Sequence, residues 1–444
     1  MQIHWSNIRK CIVFSGMSVL VGLILLIAVY SIPVEAIKAH TFESTPLLEE
    51  EGNYTEFLPS FFVRLHPKYN FSLRVVLLNN RGMARDNYTD SLMLGAASYD
   101  DNGKMKVLQK ALLVPHDEML SEQPLESLVA YSKSGAVQSP VTYSRYWHGY
   151  LIFLKPLLLV LSYTQIRVFN VIALFILLCS ALYGINHKLG LSNVAPFGMA
   201  LLFTFPIVIP YCMQYCTMTF IMLITVNTLL YLGENLYKKQ RLIYFWLFVG
   251  IATAYFDFLT YPTLALGTGL VVQELLLSKR CALSQKSRMK VIIQSSFTWL
   301  FGYGGMWASK WVLAQLLTSE NVITDAMNQI LRRTVGEVDY QGRRPNPITA
   351  VAANFSCYTN VIFLVLIAMC LVWFGVCLRK RKACGYKGNL NYVWISMIPI
   401  GWYMLLTSHS FDHSSFTYRA LMVSVYALLS YAIEPIEEAQ KESV

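Results

Sequence analysis

The sequence predicts an all-α polytopic membrane protein, with about ten transmembrane helices and a large extracytoplasmic first loop. Three observations lead there. The 444 residues are 55% hydrophobic and 14% charged, with a mean hydropathy of +0.44, too apolar for an ordinary soluble domain. The apolar residues come in runs of about 20, the length a helix needs to cross hydrocarbon while satisfying its own backbone. Basic residues gather in alternate short connections, the asymmetry that orients membrane helices.

The first run, 11–32, follows Arg9-Lys10. It exceeds the roughly 7–15 apolar residues of a signal-peptide core. It therefore reads as an uncleaved span, although Val34-Glu-Ala36 loosely resembles a cleavage site. Residues 1–32 form a cytoplasmic tip and the first span. Residues 33–164 form the extracytoplasmic loop, with interfacial helices. Residues 165–434 form the multi-span domain, and 435–444 a cytoplasmic tail. Nine runs fill the multi-span domain: 165–185, 193–211, 213–232, 242–256, 259–277, 291–313, 354–378, 391–407 and 418–434. Asp257 and Pro262 interrupt 242–277, so those two spans should be short or tilted.

Arg9-Lys10, Lys188, Lys238-Lys239-Arg241, Lys279-Arg280 with Lys286, Arg288 and Lys290, and Arg379 to Lys382 share one side. That side should be cytoplasmic, with both termini inside. The net charge of +10 is then a topology signal and argues against nucleic acid as a partner. Gly302-Tyr-Gly-Gly305 lies within an apolar run, where close helix packing explains it better than phosphate binding. The nine cysteines all lie outside 33–164, which excludes a disulfide framework there. Cys212 and Cys216 read as packing residues.

Four regions face outward in this topology: 33–164, the tip around Asp257, the loop 314–353 and the loop 408–417. Acids inside the spans are scarce, and no internal repeat is visible. The polar residues of the outward regions therefore carry the functional reading.

In Asp86-Asn-Tyr-Thr-Asp90, Thr89 or Asp90 suits the cap of a helix through Leu92–Ala97, and Asp90 also suits a base near the outer leaflet. Asp100-Asp101 reads as a solvated turn. Arg145, Tyr146, Trp147 and His148 combine an interfacial aromatic anchor with groups that suit sugar rings and phosphates. The apolar stretch from Tyr150 to Leu161 is too short to span and should lie in the interface, where Lys155 could snorkel or meet a lipid phosphate. Asp257, alone between two apolar spans, needs a partner. Arg332, Arg333, Arg343 and Arg344 suit a phosphate or pyrophosphate. His409 and His413 could ligate a metal if helical, but no third ligand is apparent and the reading is no metal. Arg419 stands at the mouth of the last run and suits a phosphate.

These motifs, with Lys155-Pro-Leu-Leu158, Asp257-Phe-Leu-Thr260 and Phe416-Thr-Tyr-Arg419, resemble the GT-C superfamily of polytopic glycosyltransferases and a set of uncharacterised bacterial multi-span proteins. The resemblance runs along most of the chain. It implies a GT-C-like fold in the bacterial cytoplasmic membrane and an extracytoplasmic active site. It also implies transfer of a hexosyl or pentosyl group from a polyprenyl-phosphate-linked donor to a cell-envelope glycan or lipid-linked acceptor, as in polysaccharide biosynthesis. By that likeness Asp90, or Asp86, is the catalytic base. Arg419 and the arginines of 332–344 hold the donor phosphate. No cofactor is certain, and a divalent cation stays open. The chain lacks the Asp-Glu pair that many of these enzymes carry in the first outer loop. The rival readings are a lipid-linked oligosaccharide polymerase or ligase, and a transporter or flippase of envelope precursors.

Overall fold

The computed structural model describes residues 5–56, 81–135, 140–281, 283–335, 344–383 and 388–442. Helices dominate. The first apolar run is helix α1 (Trp5–Tyr30). The outer segment then folds as short pieces: α2 (Val34–Glu43), α3 (Thr45–Glu51), strand β1 (Tyr54–Glu56), strand β2 (Ala84–Asp86), α4 (Asn87–Ser98), α5 (Val107–Leu113), strand β3 (Pro115–Asp117), α6 (Met119–Glu122), α7 (Pro124–Ser134), strand β4 (Pro140–Thr142) and α8 (Leu151–Leu158). The strands were not expected. They form two antiparallel ribbons, with Tyr54 opposite Asp86 and Pro115 opposite Thr142.

The membrane domain follows with α9 (Tyr163–Leu189), α10 (Val194–Leu202), α11 (Met213–Lys238), α12 (Leu242–Phe256), α13 (Thr263–Lys279) and α14 (Gln285–Leu317). After these come α15 (Val322–Val335), α16 (Pro347–Ser356), α17 (Val361–Ala383), α18 (Leu390–Ser396), α19 (Ile398–Leu405), α20 (Thr407–Asp412), α21 (Ser414–Thr417) and α22 (Met422–Glu442). Among the described residues, five helical stretches are long and apolar enough to cross a membrane: Ile8–Tyr30, Tyr163–Leu189, Met213–Lys238, Val361–Ala383 and Ser414–Glu434.

Every predicted apolar run is helical at least in part, but three are broken. Run 193–211 leaves the helix after Leu202, where Phe205 takes a φ of +52° beside Pro206. A residue before proline is pushed out of the helical region. Run 354–378 divides because the Asn360 side chain accepts a hydrogen bond from Phe363 N at 3.1 Å and starts α17 afresh. Run 391–407 divides at Met397, ahead of Pro399. The expected loop 314–353 is largely helical instead. The helix α14 continues to Leu317, and α15 and α16 follow.

Side-chain ties define the two ends of the helix bundle. At one end Arg280 pairs with Glu234 at 3.0 Å, Lys279 donates to Leu189 O at 2.9 Å and Arg288 pairs with Glu274 at 2.7 Å. This is the end with the basic connections. At the other end the outer segment docks onto the starts of α9 and α11 and onto the connection between α12 and α13. The functional reading concerns that second end.

Candidate functional site

Two adjoining clusters occupy the outer-segment end. The first is built around the β2–α4 junction. Asp86, not Thr89 or Asp90, caps α4. Its carboxylate accepts from Thr89 N at 3.0 Å and from the Thr89 hydroxyl at 3.1 Å, so the helix begins at Asn87 rather than near Leu92. An acidic cap satisfies an orphan amide and meets the positive helix end.

Asp90 lies one turn further on and is fully buried. Its two oxygens accept from Met213 N, both at 3.0 Å, and one also accepts from the Tyr163 hydroxyl. Met213 is the first residue of α11, so Asp90 caps a neighbouring helix and pins the outer segment to α9 and α11. Burial pushes Asp90 up to about 7, against the Tyr163 and Met213 hydrogen bonds that pull the other way.

Beside these acids lies a network that the sequence reading did not single out. The Glu51 carboxylate accepts from both terminal nitrogens of Arg167, at 3.0 and 2.8 Å, and from Arg85. Asn87 closes the ring, donating to Glu51 at 3.1 Å and accepting from Arg167 at 2.8 Å. The legible signal was Arg167 itself, a charge four residues into α9 and buried there.

Arg419 completes the first cluster. Its guanidinium is wholly buried and donates to three carbonyls, Thr204 at 3.1 Å, Ser415 at 3.3 Å and Gly82 at 2.6 Å. It stacks 3.9 Å over the Tyr215 ring and 4.9 Å over Tyr418. Among the described residues no carboxylate pairs with it.

The second cluster centres on the α12–α13 connection. Asp257 is buried and folds back on its own turn, accepting from Thr260 N at 2.9 Å and from the Thr260 hydroxyl. The partner it required is thus the turn itself. Burial pushes Asp257 up to about 7 as well. Leu259, at φ +69°, turns its carbonyl to His409 Nε2 at 2.7 Å. Arg333 reaches His409 Nδ1 at 2.6 Å. A guanidinium only donates, so Nδ1 accepts and the proton sits on Nε2. His409 is therefore neutral, and burial holds it well below the usual histidine range. With both ring nitrogens engaged, His409 is no metal ligand, although its ring lies 4.7 Å from that of His413. No group of three potential metal ligands occurs among the described residues. Tyr261 links the clusters. Its hydroxyl donates to Tyr215 O at 2.9 Å, and it feels both Arg419 and Asp257.

The remaining predicted residues are placed elsewhere. Arg145 is at the rim, paired with Asp325 at 3.0 Å and 5.0 Å from the Tyr143 ring. Tyr146, Trp147 and His148 are buried packing residues rather than an open sugar platform. Trp147 donates to Met306 O at 2.7 Å, and His148 packs on Phe258 at 5.1 Å. Lys155 neither snorkels nor faces lipid phosphate. It is buried, donates to Ala97 O at 2.8 Å and lies 4.7 Å over Tyr30. Burial draws it down to about 8. Arg332 and Arg344 are exposed, while Arg343 lies outside the described residues. Asp101 is buried and paired with Lys110, so Asp100-Asp101 is not the solvated turn expected. Cys212 and Cys216 pack as expected, with Cys212 Sγ accepting from Asp86 N at 3.2 Å.

No family model, curated protein or solved structure matches this chain.

Acids inside the helices are less scarce in effect than the sequence suggested. Glu274 of α13 and Glu434 of α22 are buried at the basic end and share the Asn389 amide, while Arg288 and Asn391 donate to Glu274.

Proposed function

We propose that this protein is a membrane glycosyltransferase. It moves a sugar from a polyprenyl-phosphate-linked donor to a cell-envelope glycan or lipid-linked acceptor at the outer-segment end. The observation that carries the reading is Arg419. A buried guanidinium without a carboxylate partner among the described residues is costly, and an anionic substrate group would complete it. Gly82, whose carbonyl accepts from Arg419, stands four residues before Asp86, which brings an acid and an anion receptor into one cluster.

The reaction is a single displacement. An acceptor hydroxyl gives its proton to an aspartate as its oxygen forms the new bond at the anomeric carbon. The bond from that carbon to the phosphate oxygen breaks, and the lipid phosphate leaves with the electron pair. Arg419 offsets the charge that develops. Asp86 is the favoured base, because its oxygens accept from Thr89 of its own helix, whereas Asp90 is fully buried and its oxygens tie the outer segment to α11 and Tyr163.

The test is transfer from a polyprenyl-phosphate sugar by purified protein in vesicles. Asp86→Asn should bind the donor and lose transfer by about 100-fold or more, the usual weight of a general base. If Asp86→Asn is active and a folded Asp90→Asn is not, the base is Asp90. Full activity in both variants sinks the mechanism.

A transporter or flippase is the second reading. The buried Arg288–Glu274 pair, joined to Glu434 through Asn389, favours it, since ionisable residues inside membrane helices often mark ion or proton paths. Movement of a labelled lipid-linked precursor across vesicles, without transfer, would select it.

A further inference from the structure

We infer that α15 is an in-plane membrane helix, with one flank on the protein, one in the acyl boundary of the lipid leaflet at the outer-segment end, and one in water. The inference stands whether or not the transferase reading does.

The helix carries three rows of residues at three- and four-residue spacing. The first row faces the protein. Val322 and Ala326 are buried, and Arg333 reaches His409. The second row is apolar and uncovered: Ile323, Met327 and Leu331 are 41, 49 and 57% exposed. The third row, Thr324, Asn328 and Arg332, is exposed and polar. Each four-residue step turns about 40° around a helix, so the apolar row lies between the buried row and the polar row. That order fits a helix at the junction of protein, oil and water. A fully solvated helix would have no reason to present three large apolar side chains in line.

Continuity identifies the occupant. The helix α15 follows α14 after four residues. The end of α14 leaves Val312, Leu316 and Leu317 exposed, so the apolar surface of a long helix runs directly into the apolar row of α15. At the start of α16, Ile348 extends the same character. The Arg145–Asp325 pair fixes α15 to the outer segment, which places it at that end of the bundle. Arg332 follows Leu331 on the water-facing row, where a phosphate headgroup would meet it. The same helix holds Arg333 on His409 and Asp325 on Arg145, so its seating in the leaflet sets the position of both contacts.

The test uses the full chain, with native cysteines replaced, in vesicles of phosphatidylethanolamine and phosphatidylglycerol. Met327→Cys and Asn328→Cys are each labelled with an environment-sensitive fluorophore. The label at 327 should be quenched several-fold more by lipid-tethered nitroxide than by iodide, and the label at 328 the reverse. Iodide quenching at 327 equal to that at 328 overturns the inference. So does shielding of 327 from both quenchers, which would mean a protein partner. In the native-cysteine background, Leu331→Glu should lower thermal stability in vesicles and Asn328→Glu should not. Equal effects also overturn it.

Discussion

Replacing Gly302 by alanine should force α14 away from α12 and destabilise the protein, while the same change at Gly304 should not. A methyl group at Gly302 would sit on the Leu247 carbonyl oxygen and 3.2 Å from Ile251 N. One at Gly250 would sit on the Trp299 carbonyl oxygen and 2.9 Å from Tyr303 N. Each glycine therefore receives the opposing backbone, and backbone inside a helix cannot rotate aside as a side chain can. Overpacking of this kind costs about 1–3 kcal/mol, and an obstructing backbone belongs at the upper end. Alanine in place of glycine returns about 1 kcal/mol of helix propensity, which leaves a net loss of about 2 kcal/mol. At Gly304 and Gly305 nothing lies within 4 Å of the added methyl, so only the gain remains. The gap between Gly302→Ala and Gly304→Ala is then about 3 kcal/mol. Thermal unfolding in detergent, followed by tryptophan fluorescence, measures it. Gly250→Ala should match Gly302→Ala, and the double variant should cost less than the sum, because both separate the same helices. Equal midpoints for Gly302→Ala and Gly304→Ala would refute the reasoning.

Asp90 and Asp257 predict a pH dependence of stability. Both carboxyls are raised in the folded chain from 3.8 to about 7, so between those values the folded state holds protons that the unfolded state has released. Their contribution is complete below about pH 4 and is lost as pH rises through about 7. The unfolding midpoint should fall across that window, and Asp257→Asn should flatten the fall; an unchanged slope in that variant contradicts it. Arg288→Met strips buried Glu274 of its ion-pair partner and should cost about 3–5 kcal/mol. Adding Glu274→Gln should recover part of that in the same unfolding assay, and no recovery would mean that charge is not the cause. Glu51→Gln leaves Arg85 and Arg167 facing a neutral amide, so proteolysis of the outer segment should accelerate while the membrane helices stay protected.

The helices were legible because their signal is local. Runs of apolar residues became α1, α9, α11, α12 and α13 with small shifts at the ends. The breaks were legible in principle, since Pro206 and Pro399 stand inside the broken runs. The amphipathic pattern of 322–335 is legible too, but the paired arginines point the sequence reading toward a phosphate-binding loop instead. What could not be read was which distant groups meet. Asp90 was visible as an acid before an apolar run, yet its role depends on Met213 and Tyr163, 123 and 73 residues away. Lys310 stands inside the predicted span 291–313, where a charge signals a partner. It donates to Ala111 O at 3.2 Å and lies 5.3 Å from the Trp147 ring.

Among the described residues, the buried cations of the outer-segment end that pair with no carboxylate separate into two kinds, and the difference bears on where an anion could bind. Lys155 donates to the carbonyl of Ala97 in the last turn of α4, and Lys310 to that of Ala111 in the last turn of α5. A helix C-terminus carries partial negative charge and orphan carbonyls, so both lysines are accounted for without a ligand. Arg419 is not accounted for in that way. Its three carbonyls come from Gly82, Thr204 and Ser415, in three separate stretches of chain. Its planar fork suits a phosphate better than it suits scattered carbonyls. The shortest of the three bonds, at 2.6 Å, goes to Gly82, in the turn that leads through β2 to Asp86. A shift of that turn would release one arm of the guanidinium and move Asp86 in the same step. Under the transferase reading, binding of the donor phosphate and placement of the base are therefore one event, and lengthening the 81–83 turn should weaken both together.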